Sequence, residues 1–519
     1  MIVEGKAEKP TYIWIKESDV KFRSADKLWG MKTTDCQQII KNDLGDQNIR
    51  VACIGPAGEN LCRIAAIINE MRATGRKGLG AVMGSKNLKA IAVRGTHSSI
   101  SVASKENFET ARRTMLKAMK ENPFIYEVFA NVGTSVTVDL CCDLGIFPTQ
   151  NYLSTGEVTF LEKLGQEAVA TRKVGREHCY GCPVGCSQLR LARQKTYAGI
   201  LTEGPEFETL YSFGGETGVD DIDAIIAADR LADELGLDTI SAGVTIGFAM
   251  ELYEKGILGL NDTGGIELKF GNHQAMITLL RMMAFREGAG NLFADGVKAA
   301  AEKIGKGADK FAMHVMGLEL PGYDVRGAKA HGLNYATSYV GADHNRGYAT
   351  QEIFGSPHPY PIERLAIEGK GKLTKWNQDF TMVTADIPII CGFVSETAAG
   401  ADYSNTAMLI GSVTGIEYTP EEIERVGERT TNLARAFNTR EGFTRADDTL
   451  PERIMTEPLK SGPSQGQLIR RKDLDQMLDE YYAERGWDIK TGIPTRAKLV
   501  ELGLQYVADE LADAQLLPK

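Results

Sequence analysis

The sequence predicts an α+β fold in which a β-rich base domain precedes two mostly α-helical domains. Short strand patterns alternate with glycine-rich turns in residues 1–104. From residue 105 onward, apolar residues recur at helical spacing and glycines end the helical segments. The chain has 519 residues, enough for several domains with their own cores. We therefore expect domain boundaries near residues 104 and 314, with the last domain covering 315–519.

The base domain is predicted from strand and turn signals. Residues 11–15 and 20–22 predict two strands, and residues 49–54 predict a third that ends in a glycine turn. Residues 60–71 then predict a helix, an order that can present backbone N–H groups to an anion. Further glycines precede a strand at 90–93. This glycine density indicates close approach of the backbone to a ligand or to another segment, or else tight turns.

The rest of the chain predicts helices. An acidic turn at residues 220–223 starts one helix, which Gly236 ends. Pro420 and two glutamates mark the start of another. The remaining predicted helices cover residues 241–255, 274–286, 292–304, 472–485 and 496–509, and the one that begins at Pro420 extends to 437.

Composition excludes several classes of protein. The chain is 43% hydrophobic and 25% charged, as ordinary globular proteins are. A net charge of -10 without any Lys/Arg-rich block argues against nucleic-acid binding. No run of 18 apolar residues predicts a membrane span, and residues 1–10 lack a signal-peptide pattern. Clustered cysteines in such a chain predict metal binding in a reducing cytoplasm.

Three cysteines form the most specific motif. Cys179, Cys182 and Cys186 have the spacing Cys-x2-Cys-x3-Cys, with glycines between them that allow tight turns. Thiolates that converge in this way bind soft metals, above all iron–sulfur clusters or zinc. A four-ligand site needs one more residue, and Cys391 is the best candidate. A zinc site completed by His178 or a distant cysteine is the alternative.

Two acidic segments share a pattern. Asp233 and Asp238 lie on either side of the helix end at Gly236, where carboxylates can accept hydrogen bonds from a polar ligand. A solvated helix end is the alternative. Asp386 lies five residues before Cys391 and repeats the pattern. Two such segments in distant parts of the chain could bind one cofactor that has two similar ends.

Two further segments carry groups suited to proton transfer. His344 lies in a glycine-bounded loop among three polar neighbours, and an imidazole there could exchange protons near neutral pH. A histidine that bonds backbone carbonyls is the alternative. Glu206 and Glu208 lie near apolar residues, which can raise a carboxyl pKa, although a solvated loop would also explain them.

Together these segments resemble the aldehyde:ferredoxin oxidoreductase family of tungsten-pterin enzymes. The resemblance spans nearly the whole chain, from Gly55-Pro-Ala-Gly-Glu-Asn60 to beyond Cys391. It combines the cysteine triplet with the segments Gly-Pro-Glu-Phe-Glu-Thr at 204–209 and Leu-Pro-Gly-Tyr-Asp at 320–324. The two acidic segments complete the set.

The resemblance implies two pterin-dithiolene ligands that hold one tungsten or molybdenum, and it is compatible with a magnesium ion bridging the pterin phosphates. It also implies that Cys391 is the fourth ligand of a [4Fe–4S] cluster. Glu208 and His344 match the family's catalytic carboxylate and imidazole. The implied cofactor-binding residues are Gly58, Glu59, Asn60, Asp233, Gly236, Leu237, Asp238, Arg346, Asp386 and Ile390.

The activity implied is the oxidation of small aldehydes to carboxylic acids. Electrons would leave through the cluster to ferredoxin or an iron–sulfur partner subunit, in a homo- or hetero-oligomer without nucleic acid or membrane. One alternative is the catalytic subunit of a tungsten-dependent aromatic acyl-CoA reductase. Another is an electron-transfer protein that holds a cluster without catalysis.

Two departures from the family pattern have consequences. Ile389-Ile390 stands where the family has Gly-Leu, which restricts the backbone. Family members also carry roughly a hundred residues before the point that matches Met1, which predicts a truncated base domain with exposed strand edges.

Overall fold

The computed structural model describes residues 2–95, 100–155, 158–194, 196–397 and 401–518. The chain forms two compact units. The first contains Met1–Ser99, Val132–Cys142 and Phe147–Gly322, and the second contains Ile100–Asn131, Asp143–Ile146 and Tyr323–Lys519. A β-sheet near the N-terminus followed by helices confirms the α+β prediction. The division into three domains stays a prediction.

A six-stranded sheet organises the start of the first unit. Its strands are β1 Thr11–Lys16, β2 Asp19–Ser24, β3 Arg50–Cys53, β4 Ile67–Asn69, β5 Arg72–Thr74 and β6 Leu88–Arg94. They are ordered β2-β1-β6-β3-β4-β5, with β1 and β6 parallel and the other neighbours antiparallel. Tyr12 and Trp14 pack on one face and Ile13 on the other, as the alternation of a strand requires.

The predicted helix at residues 60–71 is wrong. Residues Ile67–Asn69 form β4, which pairs with β3 and β5, and the nearby helix is the short Pro56–Glu59. Residues 64–68 are a continuous apolar run in which four of five side chains are buried. Such a run has no helical period, so it fits a buried strand equally well. The predicted strands at 11–15, 20–22, 49–54 and 90–93 correspond to β1, β2, β3 and β6.

Helices alternate with short strands in the rest of the first unit. The helices are Thr33–Asp43, Arg76–Gly78, Leu79–Ser85, Gly133–Ser135, Val136–Leu144, Val158–Leu164, Gln166–Ala170, Phe207–Leu210, Tyr211–Gly215, Ile222–Leu235, Thr239–Glu254, His273–Phe285, Gly290–Phe293, Gly296–Ile304 and Ala308–Phe311. The strands are β7 Pro148–Thr149, β8 Ser154–Thr155, β9 Lys173–Glu177, β10 Ser187–Leu191, β11 Leu201–Glu203, β12 His314–Val315 and β13 Leu318–Glu319.

The described part of the second unit is helical. Its helices are Lys105–Glu121, Phe124–Phe129, Ala130–Val132, Val325–Gly327, Lys329–Thr337, Thr350–Ile353, Lys370–Thr381, Met382–Asp386, Phe393–Thr397, Tyr403–Thr414, Pro420–Arg440, Arg445–Asp447, Glu452–Thr456, Arg471–Arg485, Arg496–Glu501 and Gln505–Asp513. Within the residues described, none of the protein's helices has both the length and the apolar character needed to span a bilayer.

Helix ends follow the sequence signals. Asp221 caps Ile222–Leu235 by accepting hydrogen bonds from the backbone N–H groups of Asp223 and Ala224 at 3.0 and 3.3 Å. Thr419 and Glu422 form a capping box at the start of Pro420–Arg440. The helices predicted at 292–304 and 496–509 are each interrupted, the first at Gly296, where φ is +84°. A left-handed residue cannot continue a right-handed helix.

Candidate functional site

The cysteine triplet lies in the loop of a β-hairpin. Strands β9 and β10 are antiparallel, and the segment between them carries all three thiols. The Cys182 N–H donates to the Cys179 carbonyl at 3.0 Å, and Gly181 and Gly185 adopt φ of +68° and +59°. The hairpin thus folds the loop into successive tight turns. Within the described residues, no three His, Cys, Asp or Glu side chains are already gathered closely enough to hold a metal ion.

Exposure divides the nine cysteines into two groups. The buried cysteines are Cys36, Cys53, Cys62, Cys141 and Cys142. The other four are exposed or partly exposed, namely Cys179, Cys182, Cys186 and Cys391. Burial raises the pKa of the Cys62 thiol to about 12 and that of Cys141 well above its usual range. Burial therefore disfavours the metal-binding thiolate at Cys62 and Cys141, whereas the four accessible cysteines are open to a metal. These are the four that the sequence nominates.

A partly buried ion pair lies beside the cysteine loop. The guanidinium of Arg72 is 3.2 Å from the Glu203 carboxylate. Burial and the nearby Glu206 raise the pKa of Glu203 to about 7. Burial disfavours the charged form of Arg72, but Glu203 and Glu206, with smaller contributions from Cys179 and Cys186, raise its pKa overall. This arginine therefore supplies positive charge where thiolates would accumulate negative charge.

The first acidic segment forms a left-handed helix end. Gly236 has φ of +73°, and its N–H donates to the Asp233 carbonyl at 3.2 Å. The Leu237 N–H donates to the Ala232 carbonyl at 2.9 Å. These bonds turn the chain sharply, and the helix Thr239–Glu254 begins immediately afterwards.

The second acidic segment has the same backbone geometry. Ile389 has φ of +58°, and its N–H donates to the Asp386 carbonyl at 3.3 Å. The Ile390 N–H donates to the Ala385 carbonyl at 2.9 Å, and the helix Phe393–Thr397 follows Cys391. Each hydrogen bond has its counterpart, at the same spacing from the aspartate, in the first segment. The repeated pattern seen in the sequence is therefore a repeated structure.

The aspartates themselves have different surroundings. Burial, reinforced by the charge of Asp229, raises the pKa of Asp233. Asp238 caps the helix Thr239–Glu254 by accepting hydrogen bonds from the N–H groups of Ile240 and Ser241 at 3.3 and 3.2 Å. Its carboxylate lies 3.7 Å from the Arg76 guanidinium. Asp386 forms an ion pair with Arg346.

Residues Gly58, Glu59 and Asn60 contact other parts of the protein. The Glu59 carboxylate forms a buried ion pair with Lys89 and accepts a hydrogen bond from a backbone N–H. The Asn60 side chain donates to the Ala284 carbonyl at 3.0 Å. A Cβ at Gly58 would lie 2.9 Å from a carbonyl oxygen of residue 80, so this glycine permits close approach of another segment. Their assignment to the cofactor stays a prediction.

Glu208 is held by the Leu-Pro-Gly-Tyr-Asp segment. It lies in the helix Phe207–Leu210 and is partly buried. Its Oε2 atom accepts a hydrogen bond from the Gly322 N–H at 2.9 Å. The structure therefore joins two segments that the sequence singled out separately, 114 positions apart.

His344 belongs to an aromatic cluster in the second unit. Its ring centroid lies 5.9 Å from that of Tyr323 and 6.1 Å from that of Tyr348. His331 lies 5.0 Å from both tyrosine rings. Its Nδ1 atom accepts a hydrogen bond from the Ala349 N–H at 3.3 Å, which places the proton of the neutral ring on Nε2. Burial and the charge of His344 lower the pKa of His331 to about 3, so it stays neutral.

Sequence reasoning missed His331 and Tyr348. His331 lies in the helix Lys329–Thr337, where a single histidine has no motif of its own. Tyr348 closes the loop that was chosen for His344, and Tyr323 lies in the Leu-Pro-Gly-Tyr-Asp segment. The available signal for Tyr348 was therefore its position in a segment that had already been selected.

Comparison with known proteins agrees with these features. A family profile described as the N-terminal domain of aldehyde ferredoxin oxidoreductase matches residues 1–95, and one described as its domains 2 and 3 matches residues 110–504. A tungsten-containing aldehyde ferredoxin oxidoreductase of Pyrococcus furiosus is 39% identical over 509 residues, which cover 97% of this chain and 81% of the relative. The corresponding protein of Thermococcus kodakarensis is 37% identical over 508 residues, 97% of this chain and 81% of the relative.

Two more distant relatives have other functions in their names. An aliphatic sulfonate oxidoreductase, WOR-like subunit, of Pyrococcus furiosus is 30% identical over 532 residues, 97% of this chain and 80% of the relative. The solved active-site complex of benzoyl coenzyme A reductase with 1,5-dienoyl-CoA has a TM-score of 0.82 at 24% identity, and covers 99% of this chain and 82% of that one. The latter likeness shows the fold.

Accessible hairpin thiols and two aspartate loops of one backbone geometry are features that a metal- and cofactor-binding redox protein would use. The chain belongs to the aldehyde ferredoxin oxidoreductase family and is an oxidoreductase. The predicted truncation of the base domain is wrong, because the N-terminal-domain profile matches residues 1–95. Those residues include a six-stranded sheet with packed side chains on both faces.

The residues present fit the family's cofactors. Two loops of one geometry, each beginning with an aspartate, suit the two similar ends of a bis-pterin ligand. The four accessible cysteines suit a cluster that takes four thiolates. Arg346 and Arg76, each beside one of the motif carboxylates, are cations suited to phosphate groups.

Proposed function

We propose that this oxidoreductase converts aldehydes to carboxylic acids in the cytoplasm. One aldehyde and one water give one acid, two protons and two electrons. Tungsten held by two pterins would accept the electron pair, and a [4Fe–4S] cluster would pass it to ferredoxin or an iron–sulfur partner subunit. The observation that carries the proposal is the matched pair of aspartate loops, because a bis-pterin ligand needs two equivalent sites.

The cluster is proposed on Cys179, Cys182, Cys186 and Cys391. Support comes from their exposure, since the other five cysteines are buried. Arg72 beside the loop would stabilise the negative charge of thiolates. Exposure of Cys179 and Cys391 also suits electron transfer to an external acceptor, because such transfer needs a redox centre near the surface.

Glu208 and His344 are proposed to manage the protons. Hydration and oxidation of an aldehyde release protons from the attacking water, and a carboxylate or imidazole is a suitable acceptor near neutral pH. The hydrogen bond from Gly322 fixes Oε2 of Glu208, which orients the carboxylate. The rings of Tyr323 and Tyr348 pack against His344 and restrict its movement. Both groups are therefore oriented before substrate arrives.

The first experiment measures metals and turnover. Protein purified without oxygen should contain about four iron atoms per chain together with tungsten, and should reduce a viologen dye in the presence of benzaldehyde or crotonaldehyde. Iron without tungsten would exclude the proposal. A tungsten-loaded protein that reduces an aromatic acyl-CoA but oxidises no aldehyde would also exclude it.

The second experiment tests the two proton acceptors. Glu208→Gln and His344→Asn should each lower kcat by about 10²–10⁴, the usual contribution of a positioned acid or base. Iron and tungsten contents should stay at the wild-type level. Glu302→Gln is the matched control, because Glu302 is exposed on the helix Gly296–Ile304 and should tolerate the change. Loss of tungsten from either variant would contradict the assigned roles.

A further inference from the structure

His178 immediately precedes the cysteine triplet, and its side chain makes two polar contacts. Its Nδ1 atom lies 3.1 Å from the Cys182 carbonyl oxygen, which only accepts hydrogen bonds. Its Nε2 atom lies 3.5 Å from a guanidinium nitrogen of Arg176, which only donates them. Both contacts fit one form of the side chain, a neutral ring with its proton on Nδ1. Nδ1 therefore donates to the backbone of the cysteine loop, and Nε2 faces a cation.

The same ring covers the backbone at Gly185. A Cβ built on Gly185 would lie 2.3 Å from Cε1 of the His178 ring, so a larger side chain does not fit while the ring stays in place. Gly185 is buried, although most of the loop around it is exposed. Gly181 has a similar left-handed φ, +68° against +59°, but a Cβ there would meet no described atom within 4 Å. Only the second glycine thus serves a contact with a side chain.

These contacts join the two turns of the cysteine loop. The hydrogen bond from the Cys182 N–H to the Cys179 carbonyl closes the first turn. The His178 imidazole holds the Cys182 carbonyl, and it packs on Gly185 immediately before Cys186. One side chain therefore contacts the backbone beside the second thiol and beside the third. Contacts of this kind orient metal ligands without binding the metal.

We propose that His178 is a positioning residue for the iron–sulfur cluster and not a metal ligand: its imidazole fixes the turns that set the spacing of the three thiols, and it shields one side of the loop from water. The inference rests on the proposed cluster and names a residue that orients its ligands. Removal of the ring would admit water. Because reduction makes the cluster more negative, water would favour the reduced form, and the midpoint potential would rise.

Two variants of similar size test the hydrogen bond. The amide nitrogen of asparagine occupies the place of Nδ1 in histidine, and that of glutamine occupies the place of Nε2. His178→Asn should therefore keep the bond to the Cys182 carbonyl, and His178→Gln should lose it. Iron release to a chelator should be about fivefold faster in His178→Gln than in His178→Asn, the effect of one neutral hydrogen bond. Val174→Thr, exposed on strand β9, is the control and should release iron at the wild-type rate.

Two glycine variants test the packing of the ring. Gly185→Ala and Gly181→Ala share the strain of a side chain at a left-handed position, but only Gly185→Ala collides with the His178 ring. Redox titration followed by EPR should show a higher midpoint potential for Gly185→Ala than for Gly181→Ala. His178→Ala should also raise the potential. Adding Gly185→Ala to His178→Ala should raise it no further, because the ring is already absent.

Hydrogen exchange of the loop peptide, measured by mass spectrometry, separates this inference from the proposed function because it requires no cluster. If the wild-type protein holds no iron–sulfur cluster, faster exchange in His178→Gln than in His178→Asn still supports the positioning role. Equal exchange and equal iron release in these two variants overturn the inference, and the proposed function stands if the wild-type protein holds the cluster and oxidises aldehydes. Loss of the bound metal from both variants would show that His178 is a ligand, which also overturns the inference.

Discussion

At the scale of single residues, Ile389 is the clearest difference between the two acidic segments. It adopts the left-handed conformation that Gly236 adopts in the first acidic segment. A β-branched side chain collides with its own backbone there, which costs about 1–2 kcal/mol. The Ile389 side chain is exposed, so no buried contact offsets this strain.

We predict that Ile389→Gly stabilises the protein. Glycine costs about 0.5–1 kcal/mol because it adds entropy to the unfolded chain. The strain that it relieves is larger, so the free energy of unfolding should rise by up to about 1 kcal/mol. Thermal unfolding should show a rise in Tm of about 2 °C. Ile387→Gly is the control, because Ile387 has φ of -64° and should lose stability on the same change. A fall in Tm for both variants would show that Ile389 is not strained.

The sequence indicated the paired aspartate loops but not the surroundings of single residues. The spacing of Asp386 and Cys391 repeats that of Asp233 and Asp238, so the paired loops could be found by comparing segments of the chain. His331 is buried against rings from residues that precede and follow its helix in the sequence. No local pattern records that packing, because a single histidine in a helix is compatible with many environments.

At the scale of elements, one carboxylate connects three helices of the second unit. Glu352, in Thr350–Ile353, accepts hydrogen bonds from the N–H groups of Ala330 and His331 at 3.0 and 3.1 Å, at the start of Lys329–Thr337. A negative charge is favourable at that end of a helix. The Glu352 carboxylate also forms a fully buried ion pair with Lys370, at the start of the next long helix.

We predict that Lys370→Met destabilises the protein by about 3–5 kcal/mol, because it leaves the Glu352 carboxylate buried without its cation. Lys372→Met is the matched control on the same helix, since Lys372 is exposed and surface changes usually alter stability by about 0.5 kcal/mol or less. Chemical denaturation measures both. The double variant Lys370→Met with Glu352→Gln should recover part of the loss, and failure to recover any would contradict this explanation.

Elements with local start and stop signals were predictable, and elements defined by pairing were not. The helix after Asp221 and the one after Thr419 begin where their caps predict, because capping depends on residues within one turn. Strand β4 was mistaken for a helix, since its partners β3 and β5 alone decide its conformation. The cysteine hairpin was predictable as a loop, whereas its neighbour Arg72 comes from β5, about a hundred residues earlier.

At the scale of the whole molecule, two sets of buried groups make stability depend on pH in opposite directions. Burial raises the pKa of the Glu203 and Asp229 carboxyls to about 7, so the folded state holds protons that the unfolded chain releases above about pH 4. Burial lowers the pKa of His314 to about 4 and that of His331 to about 3. The unfolded chain therefore binds protons at these histidines below about pH 6.5, and folding excludes them.

The carboxyl set therefore adds stability at low pH, and this stability is lost as pH rises towards 7. The histidine set adds stability that is lost as pH falls below 6.5.

Between pH 5 and 7 we predict that Asp229→Asn makes the free energy of unfolding rise more steeply with pH. The slope should increase by up to about 1.4 kcal/mol per pH unit, the contribution of one proton. Denaturation at a series of pH values measures the slope. Asp309→Asn, at an exposed position, should leave it unchanged. Equal slopes for wild type and Asp229→Asn would show that Asp229 is charged in the folded protein. Arg190 and the Thr202 hydroxyl would then stabilise that charge.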